Sequence, residues 1–184
     1  MFILTQKENA MMKNFQKPIS IRIAKRNDIP RLTEIYNQAI MVGGITADLD
    51  PVSIDQRTNW FNEHSDDLRH PIMVAVDNNN EVIGYGYLSY YRPRRGVNEV
   101  AEVSYYFDID YLGRGYGSAM LSELISYAKS HKIRVLLAIL HKNNVRSIAL
   151  LKKFGFEIWG ELPRMTHDDH DNYYDQAIFG TNLE

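Results

Sequence analysis

From Ile19 onward the chain alternates between short β-rich runs and longer stretches with apolar residues at helical spacing. Ile19, Ile21 and Ile23 alternate with polar residues and predict a first strand over Ile19–Ile23. Ile29, Leu32, Ile35, Tyr36, Ala39 and Ile40 then recur one helical turn apart. Asn27 or Asp28 is the expected N-cap, Pro30 falls in the first turn, and Gly43-Gly44 ends the helix. Ser53-Ile54-Asp55-Gln56 has the form of a capping box opening a second helix through Trp60 and Phe61 to about His64. After Pro71, Ile72–Val76 and Glu81–Tyr91 read as strands joined by a polar turn at Asp77–Asn80.

Arg92–Gly96 is the next loop, and Asn98–Asp108 is again strand-like. Gly113-Arg114-Gly115-Tyr116-Gly117 opens a helix carrying Met120, Leu121, Leu124, Ile125 and Ala128, which runs out near His131. Val135–Leu140 is a continuous apolar run of strand length, followed by a helix over Asn144–Phe154 that Gly155 closes. Strands over Phe156–Leu162 and Tyr173–Thr181 complete the order β-α-α-β-β-β-α-β-α-β-β. That order predicts one α/β (α+β) domain with a mixed sheet of about seven strands and about four helices packed on it. Residues 1–17 lack sustained periodicity and are expected to be an N-terminal extension to a domain over 18–184; Met11-Met12 leaves room for a later start.

Composition narrows the partners. With 45% hydrophobic residues in 184, the chain has material for one sizeable core. A net charge of -2 and a pI near 6.3 leave no basic field to hold nucleic acid or an anionic membrane, so a small-molecule partner is expected. The 12 tyrosines therefore read as strand and core residues, not as a base-stacking surface. The absence of cysteine removes disulfides, thiolate metal sites and a cysteine nucleophile. No long apolar run or signal-like segment is present, and a cytoplasmic location is expected.

The glycine run lies between a strand and an amphipathic helix, where several backbone amides can point at one place beside the positive end of the helix dipole. A dinucleotide fingerprint would have a third glycine where Ser118 stands, and a Walker loop would end in Gly-Lys-Ser/Thr. What remains is an anion cradle made of backbone alone, or an ordinary tight turn. His167-Asp168-Asp169-His170-Asp171 contains metal-ligand residue types, but as a contiguous acidic stretch between two strands it is expected to be an exposed hairpin loop, with no metal.

Eight segments in order carry a resemblance. They are Ile35-Tyr36-Asn37-Gln38-Ala39; Thr46 and Pro51 ahead of Trp60-Phe61; Val74-Ala75 with Val82-Ile83-Gly84-Tyr85; Val100-Ala101-Glu102-Val103-Ser104-Tyr105-Tyr106; the glycine loop; Asn144-Val145-Arg146-Ser147; Lys153-Phe154-Gly155-Phe156; and Tyr174-Asp175. Together they resemble the GNAT superfamily of N-acetyltransferases, and within it the phosphinothricin and methionine sulfoximine acetyltransferase branch. The resemblance implies acetyl-CoA as cosubstrate, with backbone amides from Leu112, Gly113, Arg114, Gly115, Tyr116 and Gly117 on the pyrophosphate and Ser118 beside them. It also implies that Ser104, Tyr105, Tyr106 and Phe107 run along the pantetheine arm, and that Asn144, with Ser147, lies near the thiol end. The superfamily usually has Arg or Gln where this chain has Leu112. Its frequent tyrosine acid, or the branch's histidine, is replaced here by the segment Leu151-Lys152-Lys153.

Acyl transfer to an amine needs a neutral nucleophile, a donor for the developing oxyanion and an exit for the thiolate. Without cysteine, direct attack in a ternary complex is simpler than an acyl-enzyme. Glu102 is the candidate base, and strand alternation puts it on one face with Ser104 and Tyr106. A backbone amide at Tyr106 or Phe107, at a bulge, is the expected oxyanion donor. On the preceding loop, Tyr91, Arg92 and Pro93 are candidates for the substrate site, with Arg92 favoured over Arg94 and Arg95 for binding a carboxylate. Tyr36, Asn37 and Thr46 match the stretch that forms a substrate wall in relatives. The implied activity is acetylation of the amine of a small amino acid or analogue, possible as a homodimer since relatives often pair. Acetylation of a peptide or protein N-terminus, and a non-catalytic acyl-CoA binding module, are the alternatives.

Overall fold

The computed structural model describes residues 18–65 and 68–183; the expected extension over 1–17 lies outside them. In chain order the elements begin β1 (Ser20–Ile23), α1 (Ile29–Val42), α2 (Ile54–Ser65), β2 (Ile72–Val76), β3 (Val82–Tyr90) and β4 (Val100–Phe107). They continue α3 (Tyr116–Ser130), β5 (Val135–His141), α4 (Val145–Lys153), β6 (Glu157–His167) and β7 (Tyr173–Asn182). The strands form one sheet in the order β1-β2-β3-β4-β5-β7-β6. Each neighbouring pair is antiparallel except β4 and β5, which α3 joins as a crossover and which run parallel.

Alternation along the central strands divides the core into two layers. Met73, Ile83, Val103 and Leu136 meet Met120, Leu121 and Leu124 of α3 on one face. Ile72, Val74 and Tyr85 meet Leu32 and Ile35 of α1 and Phe61 of α2 on the other. β2 is buried along its whole length because its residues feed both layers, which explains a run without polar alternation.

The local signals act as their chemistry demands, with two exceptions. Ser53 and Gln56 form a reciprocal capping box, the Gln56 amide donating to Ser53 Oγ at 3.2 Å and the Ser53 amide to Gln56 Oε1 at 2.7 Å. Asp28 precedes α1 but makes no side-chain cap to it. Its carboxylate instead takes the Lys25 amide and both terminal nitrogens of Arg22. The strand expected to stop at Leu162 continues to His167, its pairing broken between Leu162 and Thr166, where Pro163 has no amide to donate and Arg164 adopts φ 54.

Asp108 fixes the end of β4 to α1. Its carboxylate accepts from Arg31 at 2.7 Å, from Gln38 at 3.0 Å and from the Asp110 amide at 2.9 Å. Burial opposes its ionisation, but those three donors outweigh burial and hold the carboxyl below its usual range. The depressed carboxyl stabilises the fold above its unfolded value, and that stability is lost as pH falls through the folded value. Asp108→Asn is therefore expected to destabilise the protein by about 1–3 kcal/mol at neutral pH, with a smaller difference in acid. Urea titrations at the two pH values measure this, and an equal deficit at both would contradict it.

Candidate active site

The pairing of β4 with β5 lasts only three residues, Val100 with Val135, Ala101 with Leu136 and Glu102 with Leu137. Beyond them β4 pairs only with β3, and β5 only with β7, so a wedge opens in the middle of the sheet. The Asp108 amide donates to the Ile83 carbonyl at 3.0 Å, and this sets the alternation along β4. Even-numbered residues face β3 with their backbone groups, whereas Val103, Tyr105 and Phe107 turn theirs into the wedge. An unpaired strand edge inside a sheet is a template for an extended, amide-bearing chain. The same alternation corrects one expectation: the Tyr106 amide is turned to β3, so of the two suggested oxyanion donors only Phe107 faces the gap. The register of β4 against β3 is unbroken, and divergence from β5 takes the place of the expected bulge.

Two cavities occupy the wedge. The larger, about 520 Å³, is lined by the glycine loop, Tyr105, Phe107, and Arg146 and Leu150 of α4. The smaller, about 60 Å³, lies at the apex against Val103, Ser104, Leu140, Asn144 and Leu151. Tyr105, Tyr106, Asn144 and Ser147 line both. Asn144 caps α4 by accepting the Ser147 amide at 3.2 Å through its side-chain oxygen, which leaves its NH₂ as a donor.

At the wide end sits the cradle. Gly113 and Gly115 take φ of 74° and 82°, a left-handed conformation open to glycine, and Gly115 is the residue from which α3 starts. No acceptor among the described residues takes the amides of Gly113, Arg114 or Gly115, and those of Tyr116 and Gly117 begin the helix. The Leu112 amide is drawn to the Ile109 carbonyl at 3.4 Å, so the free amides start at Gly113. Tyr116 contributes backbone only, its ring being buried in the core. The Arg114 guanidinium folds back onto the Asp110 carbonyl at 2.7 Å and over the Tyr111 ring. From the opposite bank Lys153 reaches Ser118 Oγ at 3.4 Å. The cradle thus combines orphan amides, a helix N-terminus and nearby cations, which fits a diphosphate without metal.

On the other face of β4 lies an aromatic chamber. Tyr106 packs edge-on to Tyr36 at 5.0 Å and stacks on Tyr85 at 5.4 Å, while Trp60 meets Tyr87 at 5.1 Å. Glu102 is half-buried on this face, beside Ser104 and Tyr106 and across from Ser89 of β3. Desolvation raises its carboxyl pKa, and no cation opposes that effect. The Tyr36 hydroxyl bonds to Thr46 at 2.8 Å and Asp48 at 2.6 Å; burial, and then Asp48, push its pKa up to about 12. Tyr36 and Thr46 are therefore bonded directly, and Asp48, which the sequence did not single out, joins them with its carboxylate at the Tyr36 hydroxyl and its amide at Thr46 Oγ1. Asn37 instead fastens Val52 through both its amide and carbonyl. Tyr91, Arg92 and Pro93 line neither wedge cavity: Arg92 and Pro93 are exposed, and the Arg92 guanidinium lies 5.2 Å from the Tyr91 ring centroid.

Residues 19–157 match the family model of the acetyltransferase (GNAT) domain. The chain belongs to the GNAT acetyltransferase family. The L-methionine sulfoximine/L-methionine sulfone acetyltransferase of Pseudomonas aeruginosa is 36% identical over 148 residues, spanning 79% of this chain and 84% of that protein. Among solved structures, an N-acetyltransferase from Staphylococcus aureus superposes with a TM-score of 0.85 at 31% identity, covering 91% of this chain and 99% of that one. A phosphinothricin acetyltransferase from Sinorhizobium meliloti in complex with AcCoA gives 0.84 at 30% identity, covering 90% and 88%.

Two departures from the GNAT pattern now have places. Leu112 is 42% exposed at the rim of the larger cavity, where a longer polar side chain would reach across the cradle. Leu151 is buried at the apex, so no hydroxyl or imidazole projects from that position. Gln38, Ile45, Arg146 and Leu150 line the GNAT groove without having been flagged in sequence, because only the divergence of β4 and β5 brings α1 and α4 together there. The His167–Asp171 stretch is the β6–β7 connection, in which the Asp168 carboxylate binds Asn172, the Tyr174 hydroxyl and the His170 amide. No helix among the described residues is long and apolar enough to cross a membrane.

Proposed function

We propose that this protein acetylates the α-amine of a small polar amino acid or analogue, of the methionine sulfoximine, methionine sulfone or phosphinothricin type, by direct transfer in a ternary complex. The reading rests on one observation: β4 carries a desolvated carboxylate, Glu102, on the face of an aromatic chamber, while its backbone edge stands open toward the cradle. The chain is an acetyl-CoA dependent N-acetyltransferase by family, and the acceptor class follows the names of its relatives.

Acetyl-CoA, when bound, supplies an activated acetyl thioester. The free amides from Gly113 to Gly117 would hold its diphosphate, and Val103, Tyr105 and Phe107 would pair with its amide-bearing arm. Asn144 and Ser147 fix the narrow end of the groove. Glu102 takes the proton from the acceptor's ammonium group, directly or through water, so that the amine enters neutral. Its raised pKa makes it a better base than a solvated carboxylate. The Phe107 amide, aimed into the wedge, is placed to donate to a developing oxyanion; as the C–N bond forms the C–S bond would break, and the coenzyme would leave as a thiol after taking up a proton shed by the amine.

A thiol-release assay with acetyl-CoA tests the reading against free amino acids, sulfoximine, sulfone and phosphinic analogues, and short peptides. One free amino acid or analogue is expected to stand well above the others. Peptides turned over faster than every free amino acid would overturn it.

A further inference from the structure

Asp28 and Asp108, both buried charges, each face an arginine. Arg57 of α2 is only 5% exposed, yet among the described residues no carboxylate or carbonyl accepts from its guanidinium. Its Nε is fully enclosed and unpartnered. The guanidinium carbon lies 4.1 Å from the centroid of the Tyr36 ring and 4.6 Å from that of Trp60. Two aromatic faces return only part of the hydration that a nearly buried cation gives up, so an Nε left without an acceptor costs stability unless something else compensates it. The Tyr85 hydroxyl, whose ring packs against Trp60, is also enclosed without a partner.

The surroundings suggest what completes the site. Tyr36, against which Arg57 stacks, touches Tyr106, which lies on the same face of β4 as Glu102, four residues further along the strand. Tyr87 lies within electrostatic reach of both Arg57 and Glu102. A cation and a proton-accepting carboxylate on one chamber match the two ends of an amino-acid zwitterion, the acid group at the guanidinium and the amine at Glu102. Arg92, the residue favoured from sequence for this task, is exposed beside Tyr91, whereas Arg57 is held among the rings; neither lines the wedge cavities.

We propose that Arg57 anchors the acid group of the acceptor, so that the enzyme selects amines bearing a carboxylate. This rests on the acetylation reading above. The test compares wild type, Arg57→Met and Arg57→Lys with methionine sulfone and with its decarboxylated amine as acceptors. For Arg57→Met, kcat/KM on methionine sulfone is expected to fall roughly 10- to 100-fold, chiefly through KM, the scale of one lost charge-assisted pair. On the decarboxylated amine the change is expected to stay within about threefold, since that molecule has nothing for Arg57 to hold. Arg57→Lys restores part of the loss on the acid, because the charge returns without the planar fork. Met fills similar space without an uncompensated charge, so its melting temperature is expected to be no lower than that of wild type.

Equal losses on the two acceptors, or no loss on either, overturn the anchor and leave the acetylation reading intact. A wild-type enzyme that acetylates neither acceptor nor any other free amino acid overturns both together.

Discussion

Glu102→Gln is expected to lower kcat by roughly two to three orders of magnitude while leaving acetyl-CoA affinity unchanged, the usual scale for removing a positioned base. Glutamine keeps the shape and can hydrogen-bond, but it cannot take a proton from an ammonium group. The carboxyl pKa is raised by burial, so the ionised base is present only above that raised value. The rate of the wild type should therefore fall as pH drops through a value above the ordinary carboxylate range, and the variant's residual rate should lack that limb. Stability moves in the opposite sense. A carboxyl whose folded pKa exceeds its unfolded one loses stabilisation as pH rises through that window, so the fold bears a penalty for the ionised base at neutral pH. The glutamine variant should consequently melt no lower than wild type near neutrality. Steady-state kinetics across pH, coenzyme titration and thermal melts test these together; an unchanged kcat removes Glu102 from the mechanism.

The order of elements was legible because each one carries its own local code. The capping box at Ser53 and Gln56, the glycine stop at Gly43 and the continuous apolar run of β5 depend on neighbours within a few residues. Glu102, Ser104 and Tyr106 were placed on one face by strand period alone, and the structure keeps them there. What could not be read is where partners part. That β4 leaves β5 after Glu102 is a relation between strands more than thirty residues apart in sequence, and it decides which amides are free. For the same reason Arg57 gave no signal, since arginine on a helix reads as surface. Only the packing of α2 over Tyr36 encloses it. The Arg92 loop is the converse case: three arginines in four residues read as an anion site wherever the loop lies, and here they are solvent-exposed.

Gly115→Val is expected to weaken acetyl-CoA binding by roughly 10- to 100-fold. Gly115 holds φ 82 at the point where the chain turns into α3, and a β-branched residue resists that conformation. An ordinary L-residue pays about 1–2 kcal/mol to adopt it, so the loop is expected to relax toward negative φ instead. Relaxation swings the amides of Gly113 to Gly117 out of convergence, and their joint grip on the diphosphate is lost together with the alignment of the helix dipole. The hydrophobic anchors of α3, Met120, Leu121 and Leu124, lie beyond the loop and remain packed, so the fold should lose no more than about 2 kcal/mol. Gly113→Ala is the companion variant. A methyl there meets nothing within 4 Å, so its effect isolates conformational preference from steric conflict. Binding linkage provides the measurement, because a ligand at a hundred times its Kd raises stability by about 2.7 kcal/mol and a weakened cradle forfeits most of that gain. A Gly115→Val protein whose melting temperature still rises with acetyl-CoA as steeply as that of wild type would show that the coenzyme is held elsewhere than on these amides.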